Sequence, residues 1–112
     1  MDARDRLAAV LLGHLERYRR ISLGDAIRAS EEMNLGDDDA LAAVERLAWR
    51  TTARLQRFFV EGSGSQARIV SADEVRARAM HSPEARREWA STVEVVWATC
   101  EAEAISGEEE AC

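Results

Sequence analysis

Arg46, Arg50, Arg54 and Arg57 recur at intervals of four, four and three, a spacing that gathers side chains on one strip of a helix. A guanidinium is a planar fork of donors that grips carboxylates and phosphates bidentately. From Arg46 to Arg68 the only acid is Glu61. The chemistry implied is recognition of an anionic surface. Trp49 stands beside the strip, and tryptophan among arginines is the composition of a contact hot spot. Arg46, Trp49, Arg50, Arg54 and Arg57 are therefore the candidate partner-binding residues.

Other chemistry finds little footing. His14 falls within a helical stretch and His81 in a turn, with no base or nucleophile placed beside either. Cys100 and Cys112 match neither a metal spacing nor a redox pair. Cys100 is expected as a buried thiol on the apolar side of the last helix, and Cys112 on an exposed tail. Ser63 and Ser65 lie between glycines, but that short loop has no lysine to complete a phosphate cradle. Asp37, Asp38 and Asp39 are consecutive, whereas a cation loop alternates its acids, so they read as a helix-capping cluster. No catalytic, cofactor-binding or metal-binding residue is assigned, and no enzyme is expected.

The arginines need a frame to hold them. At 112 residues the chain can bury roughly two thirds of its unfolded surface, enough for one modest core. All 15 basic residues are arginine, and residues 1–88 balance them with 15 acids. Residues 89–112 hold six acids and no base, so the net charge of −6 resides there. No secretory signal or membrane-length apolar run stands out, and a reducing cytoplasm is expected.

Leu7, Leu11, Leu15 and Tyr18 predict a buried stripe on a first helix from Ala3 to Arg20, capped by Asp2. Ser22 and Asp25 open a second helix to about Met33, stopped at Asn34 to Gly36, with Gly36 free to take positive φ. Leu41, Val44, Ala48, Thr51, Leu55, Phe58 and Phe59 fall on one side at about 100° per residue, predicting a long amphipathic helix from Ala40 to Val60. Ser71 and Glu74 open a fourth helix to about Met80. A fifth starts at Pro83 and carries Trp89, Val93, Val96, Trp97, Cys100 and Ala104 on one face. The expectation is an all-α fold: a single domain over residues 1–105 of about five helices, with residues 106–112 an acidic disordered tail.

Thr51 to Ser71 admits a second reading. Phe58-Phe59-Val60 and Arg68-Ile69-Val70 could pair across Gly62–Ser65 as a β-hairpin at about 54–71. Three helices followed by such a hairpin resemble a winged helix–turn–helix domain over residues 1 to about 75, by element order alone. That resemblance implies a DNA-binding transcriptional regulator using Arg50, Arg54, Arg57 and Arg68. The preferred expectation is a small non-enzymatic interaction module, an adaptor, inhibitor or subunit, whose partner is an acidic protein or a second copy. Against nucleic acid stand the three aspartates opening the central helix. The arginines could instead pair internally with Glu31, Glu32 or the C-terminal glutamates.

Overall fold

The computed structural model describes residues 2–49, 56–79 and 83–106. Six α-helices and four strands follow one another along them: α1 (Ala3–Tyr18), β1 (Arg20–Ser22), α2 (Leu23–Glu32), α3 (Asp37–Trp49), β2 (Gln56–Glu61), β3 (Arg68–Val70), α4 (Ala72–Ala79), α5 (Pro83–Ala90), β4 (Val93–Ala98) and α6 (Glu101–Ser106). The strands form one antiparallel sheet in the order β1-β4-β2-β3. The all-α helical bundle is therefore wrong. The fold is mixed, with helices on a four-stranded sheet.

The helical starts follow their caps. Asp2 accepts from the Asp5 N–H at 2.9 Å, Ser22 from Asp25 at 3.0 Å and Ser71 from Glu74 at 3.1 Å. Leu7, Leu11 and Leu15 are fully buried along α1. Tyr18 is not part of that stripe and is 58% exposed. Arg19 ends α1 in the left-handed region (φ 66°), with its N–H on the Leu15 carbonyl at 2.8 Å. The chain leaves the helix there and enters β1, two residues earlier than the expected end. Between α2 and α3 the positive φ belongs to Asn34 (60°) rather than to Gly36.

Two expected helices break into strands. Of the expected 40–60 helix, α3 accounts for the part up to Trp49, and Gln56–Glu61 pairs with both β4 and β3. The hairpin reading describes this segment. The fifth helix stops at Ala90, where Thr92 turns back onto Trp89 by backbone and hydroxyl bonds of 2.9 and 2.7 Å. Val93–Ala98 then forms β4, a central strand. The cause is the same in both places. A strand covered on both faces writes a nearly continuous apolar run, and short runs of that kind also satisfy helical spacing. The β-branched cluster Thr92, Val93, Val95, Val96 tips the balance toward strand.

The inner face of the sheet packs on the helices. Ile21, Phe59, Val70, Val93 and Val95 meet Leu7, Leu11, Leu15, Leu23, Val44 and Leu47 in the main core. The outer face carries a second, smaller cluster of Val60, Val96 and Ala98 beneath Ala104 of α6, flanked by Phe58, Ala67 and Ile69. Gly62 makes the turn out of β2 at φ 84°; a Cβ there would stand 2.9 Å from the Gln66 carbonyl oxygen. None of the described helices is long and apolar enough to cross a membrane.

Candidate functional site

Arg46 and Arg57, the described members of the arginine strip, lie on different elements. Arg46 lies exposed on α3 and donates to Asp5 Oδ1 at 3.0 Å, which holds the Asp5 carboxyl below its ordinary range. Arg57 is on β2, on the inner side, and only 9% exposed. Its Nη1 donates to the Leu47 carbonyl at 3.1 Å, and its guanidinium lies 4.6 Å from the centre of the Trp97 ring. Arg50 and Arg54 lie outside the described residues, as does the side chain of Trp49. Arg46 and Arg57 still meet, as lining residues of a groove of about 390 Å³ between α1 and α3 that also includes Ala8, Leu12 and Leu47.

Most of the described arginines close the molecule rather than offering it to a partner. Arg76 grips Glu45 of α3 through two bonds of 3.0 Å, and Arg86 reaches Asp37 at 3.1 Å. Arg87 reaches Glu31 on α2 at 3.4 Å, and Arg4 bonds Asp39. Arg68 is drawn in as well, bonded to Glu61 and Glu74 at 2.6 and 2.9 Å. Glu61 is the hub of a clamp on the inner side. Its two oxygens accept from Arg68, Arg78 and the Trp89 indole N–H, tying β2 and β3 to α4 and α5. Burial alone would raise the Glu61 carboxyl. The Trp89 N–H and the Arg78 and Arg68 charges outweigh it and hold it below the usual range.

These straps leave little of α3 in contact with solvent. Between Asp37 and Leu47 only Asp38 and Arg46 are exposed. A helix that reads a DNA groove must present a row of side chains toward the bases and phosphates. Here the first turn of α3 is acidic and the flank is covered by α4 and α5.

The open surface is on the other side of the sheet. A cleft of about 670 Å³ is floored by Val60, Val96 and Ala98, with walls from the end of α1, the hairpin loop Gly62–Ser65 and α6. Tyr18 and Ile105, two of the three exposed large apolar side chains among the described residues, both line it. At its basic edge, Arg19 lies 5.2 Å from the centre of the Trp97 ring; Arg17, outside the lining, lies 5.7 Å from that of Tyr18. Arg6, Arg17 and Arg19 make no ion pair among the described residues. Arg20 is occupied by Glu94 at 2.9 Å. Glu103 accepts from the Thr99 hydroxyl and N–H; with Arg19 nearby, these hold its carboxyl below the ordinary range.

His14 sits 4.7 Å from the Tyr18 ring in a tilted stack, and His81 lies outside the described residues. Cys100 is half-buried in the turn before α6, not on a helical apolar stripe, and is disulfide-bonded rather than a free thiol. Among the described residues no group of three or more His, Cys, Asp or Glu could hold a metal ion. Sequence reasoning missed the cleft because its walls come from four separate stretches. The local signal was the pair of arginines around Tyr18, at the end of a helix that could have buried that ring. No protein-family model, curated protein or solved structure matches the chain.

Proposed function

We propose that this chain is a small non-enzymatic interaction module that docks another protein in the cleft on the outer face of its sheet. One observation carries the reading: an apolar floor lined by an exposed tyrosine and an exposed isoleucine, with the exposed Arg19 at its edge, stacked on Trp97. Exposed large apolar groups rimmed by polar ones mark binding surfaces, and Tyr with Arg are favoured anchors. The expected preference for an acidic partner moves with the site, from the α3 strip to Arg19 at the edge of the cleft. Among the described residues the cleft lining includes no histidine or cysteine, and its carboxylates Glu94 and Glu103 are already engaged. A winged-helix regulator is favoured by the order α1-β1-α2-α3-β2-β3 and opposed by the covered, acid-capped α3.

Selection from a random displayed-peptide library tests the reading. Enriched peptides should combine a large apolar side chain with a neighbouring acid. Tyr18→Ala should weaken them by about tenfold or more, and Arg46→Ala should leave them unchanged. Failure to enrich any peptide, or equal binding to the Tyr18 variant, overturns the proposal. So does tight duplex DNA binding that falls steeply with salt, which would restore the regulator.

A further inference from the structure

We infer that the disulfide of Cys100 is a redox latch, closed with Cys112, that holds α6 on the outer face of the sheet; its effect on a docked partner rests on the reading of the cleft given above. The chain has two cysteines, Cys100 and Cys112. Cys100 is disulfide-bonded, and no free cysteine occurs among the described residues. Within one chain its partner can only be Cys112, which itself lies outside the described residues. The bond then closes residues 100–112 into a ring, with the whole of α6 (Glu101–Ser106) inside it.

α6 needs such a tie. Its six residues are far fewer than the ~12–15 at which an isolated helix becomes even marginal in water. Of its described side chains only Ala104 is buried, against Val60, Val96 and Ala98, and an alanine removes little apolar area from water. The polar anchors all sit at the start of the helix. The Cys100 carbonyl accepts from the Ala104 N–H at 3.1 Å, and its Sγ from the Glu103 N–H at 3.4 Å. The Glu103 carboxylate accepts from the Thr99 N–H at 2.8 Å. A return of the chain to Cys100 restrains the other end. In the chain-entropy account a ring of this size favours the closed arrangement by roughly a hundredfold. Glu103, Ala104 and Ile105 line the cleft, so release of α6 takes away one wall and uncovers the floor.

Opening is a two-electron exchange with an external dithiol. One of its thiolates attacks a sulfur of the bond, and the other cysteine departs as a thiolate. The second sulfur of the dithiol then displaces the cysteine held in the mixed disulfide and closes a disulfide of its own. Cys100 and Cys112 end as thiols, with the two electrons and two protons drawn from the dithiol.

Amide exchange and peptide affinity, measured on the same two redox forms, test the inference. The untreated chain should be a monomer two hydrogens lighter than the chain treated with dithiothreitol. On that treatment the Ala104 amide should exchange at least about tenfold faster, while Leu11 and Val95 in the main core keep their rates. Cys112→Ser should exchange like the reduced chain whether or not the dithiol is present. Peptides selected on the oxidised chain should bind the reduced chain and the variant about tenfold more weakly, because the binding-competent wall is less often in place. An Ala104 rate indifferent to the dithiol overturns the latch, and so does a disulfide-linked dimer. Equal acceleration at Leu11 and Val95 also overturns it, since the bond would then support the whole fold. Equal peptide affinity in the two forms, with Ala104 accelerated, overturns redox control of the cleft and leaves the docking reading in place. If no peptide binds either form while Ala104 still responds, the docking reading fails and the latch stands.

Discussion

Phe59→Ala should lower the stability of the protein by about 3–5 kcal/mol, while Phe58→Ala should cost clearly less. Phe59 is 4% exposed on the inner face of β2, opposite Val95 on one side and Val70 on the other. Truncating it opens a void at the centre of the main core, where the neighbours relax only in part. Phe58 points to the outer face, opposite Val96, and is only half-buried. Adjacent residues of a strand face opposite ways, whereas adjacent residues of a helix are about 100° apart. On the single long helix expected from periodicity, the two phenylalanines would share one apolar side and cost similar amounts. Urea unfolding midpoints for the two variants decide the matter. Equal losses would contradict the strand.

Glu61→Ala should be the most damaging polar substitution, at about 2–4 kcal/mol near neutral pH. The Glu61 side chain is 17% exposed and accepts from Arg68, Arg78 and Trp89. Removing it leaves the Trp89 indole N–H without its acceptor and two guanidiniums with only Glu74 between them, and it loosens α4 and α5 from the sheet. Glu61→Gln should cost less and should carry a pH signature. The folded carboxyl titrates below its unfolded value of about 4.3. Its contribution is therefore complete above the unfolded value and drains away as pH falls through the lower, folded one. The stability gap between wild type and Glu61→Gln should be widest near pH 6 and should close in acid. A gap that stays constant from pH 6 to pH 3 would show that the clamp does not depend on the charge.

The parts of the fold that were legible in the sequence are those fixed by short-range chemistry. Asp2, Ser22 and Ser71 cap the helices they were expected to cap, because a cap needs only an N–H three residues away. The leucines of α1 declare their face because the other side of the helix is wet. β2 and β4 were misread because each has neighbours on both faces and both edges, so no polar side marks the period. Trp89, Val93, Val96 and Trp97 coincide with helical spacing, yet the last three lie on alternating sides of β4. The candidate site was less legible still. The arginine spacing pointed to one strip, but Arg46 belongs to α3 and Arg57 to β2, where it turns inward onto Trp97. Tyr18 fits the apolar stripe of α1 by spacing and is nevertheless exposed, because the chain turns away at Arg19 before anything covers the ring.

The most direct test of the central claim, that the working surface is the outer cleft and not α3, is an amide chemical-shift map recorded as the protein associates. Titration of the labelled wild-type chain with a selected peptide should move Arg19, Gly64, Val96, Ala98 and Ile105 together. Asp38 and Arg46 should stay still. Shifts confined to α3 and the α1–α3 groove, above all on adding duplex DNA, would contradict the account.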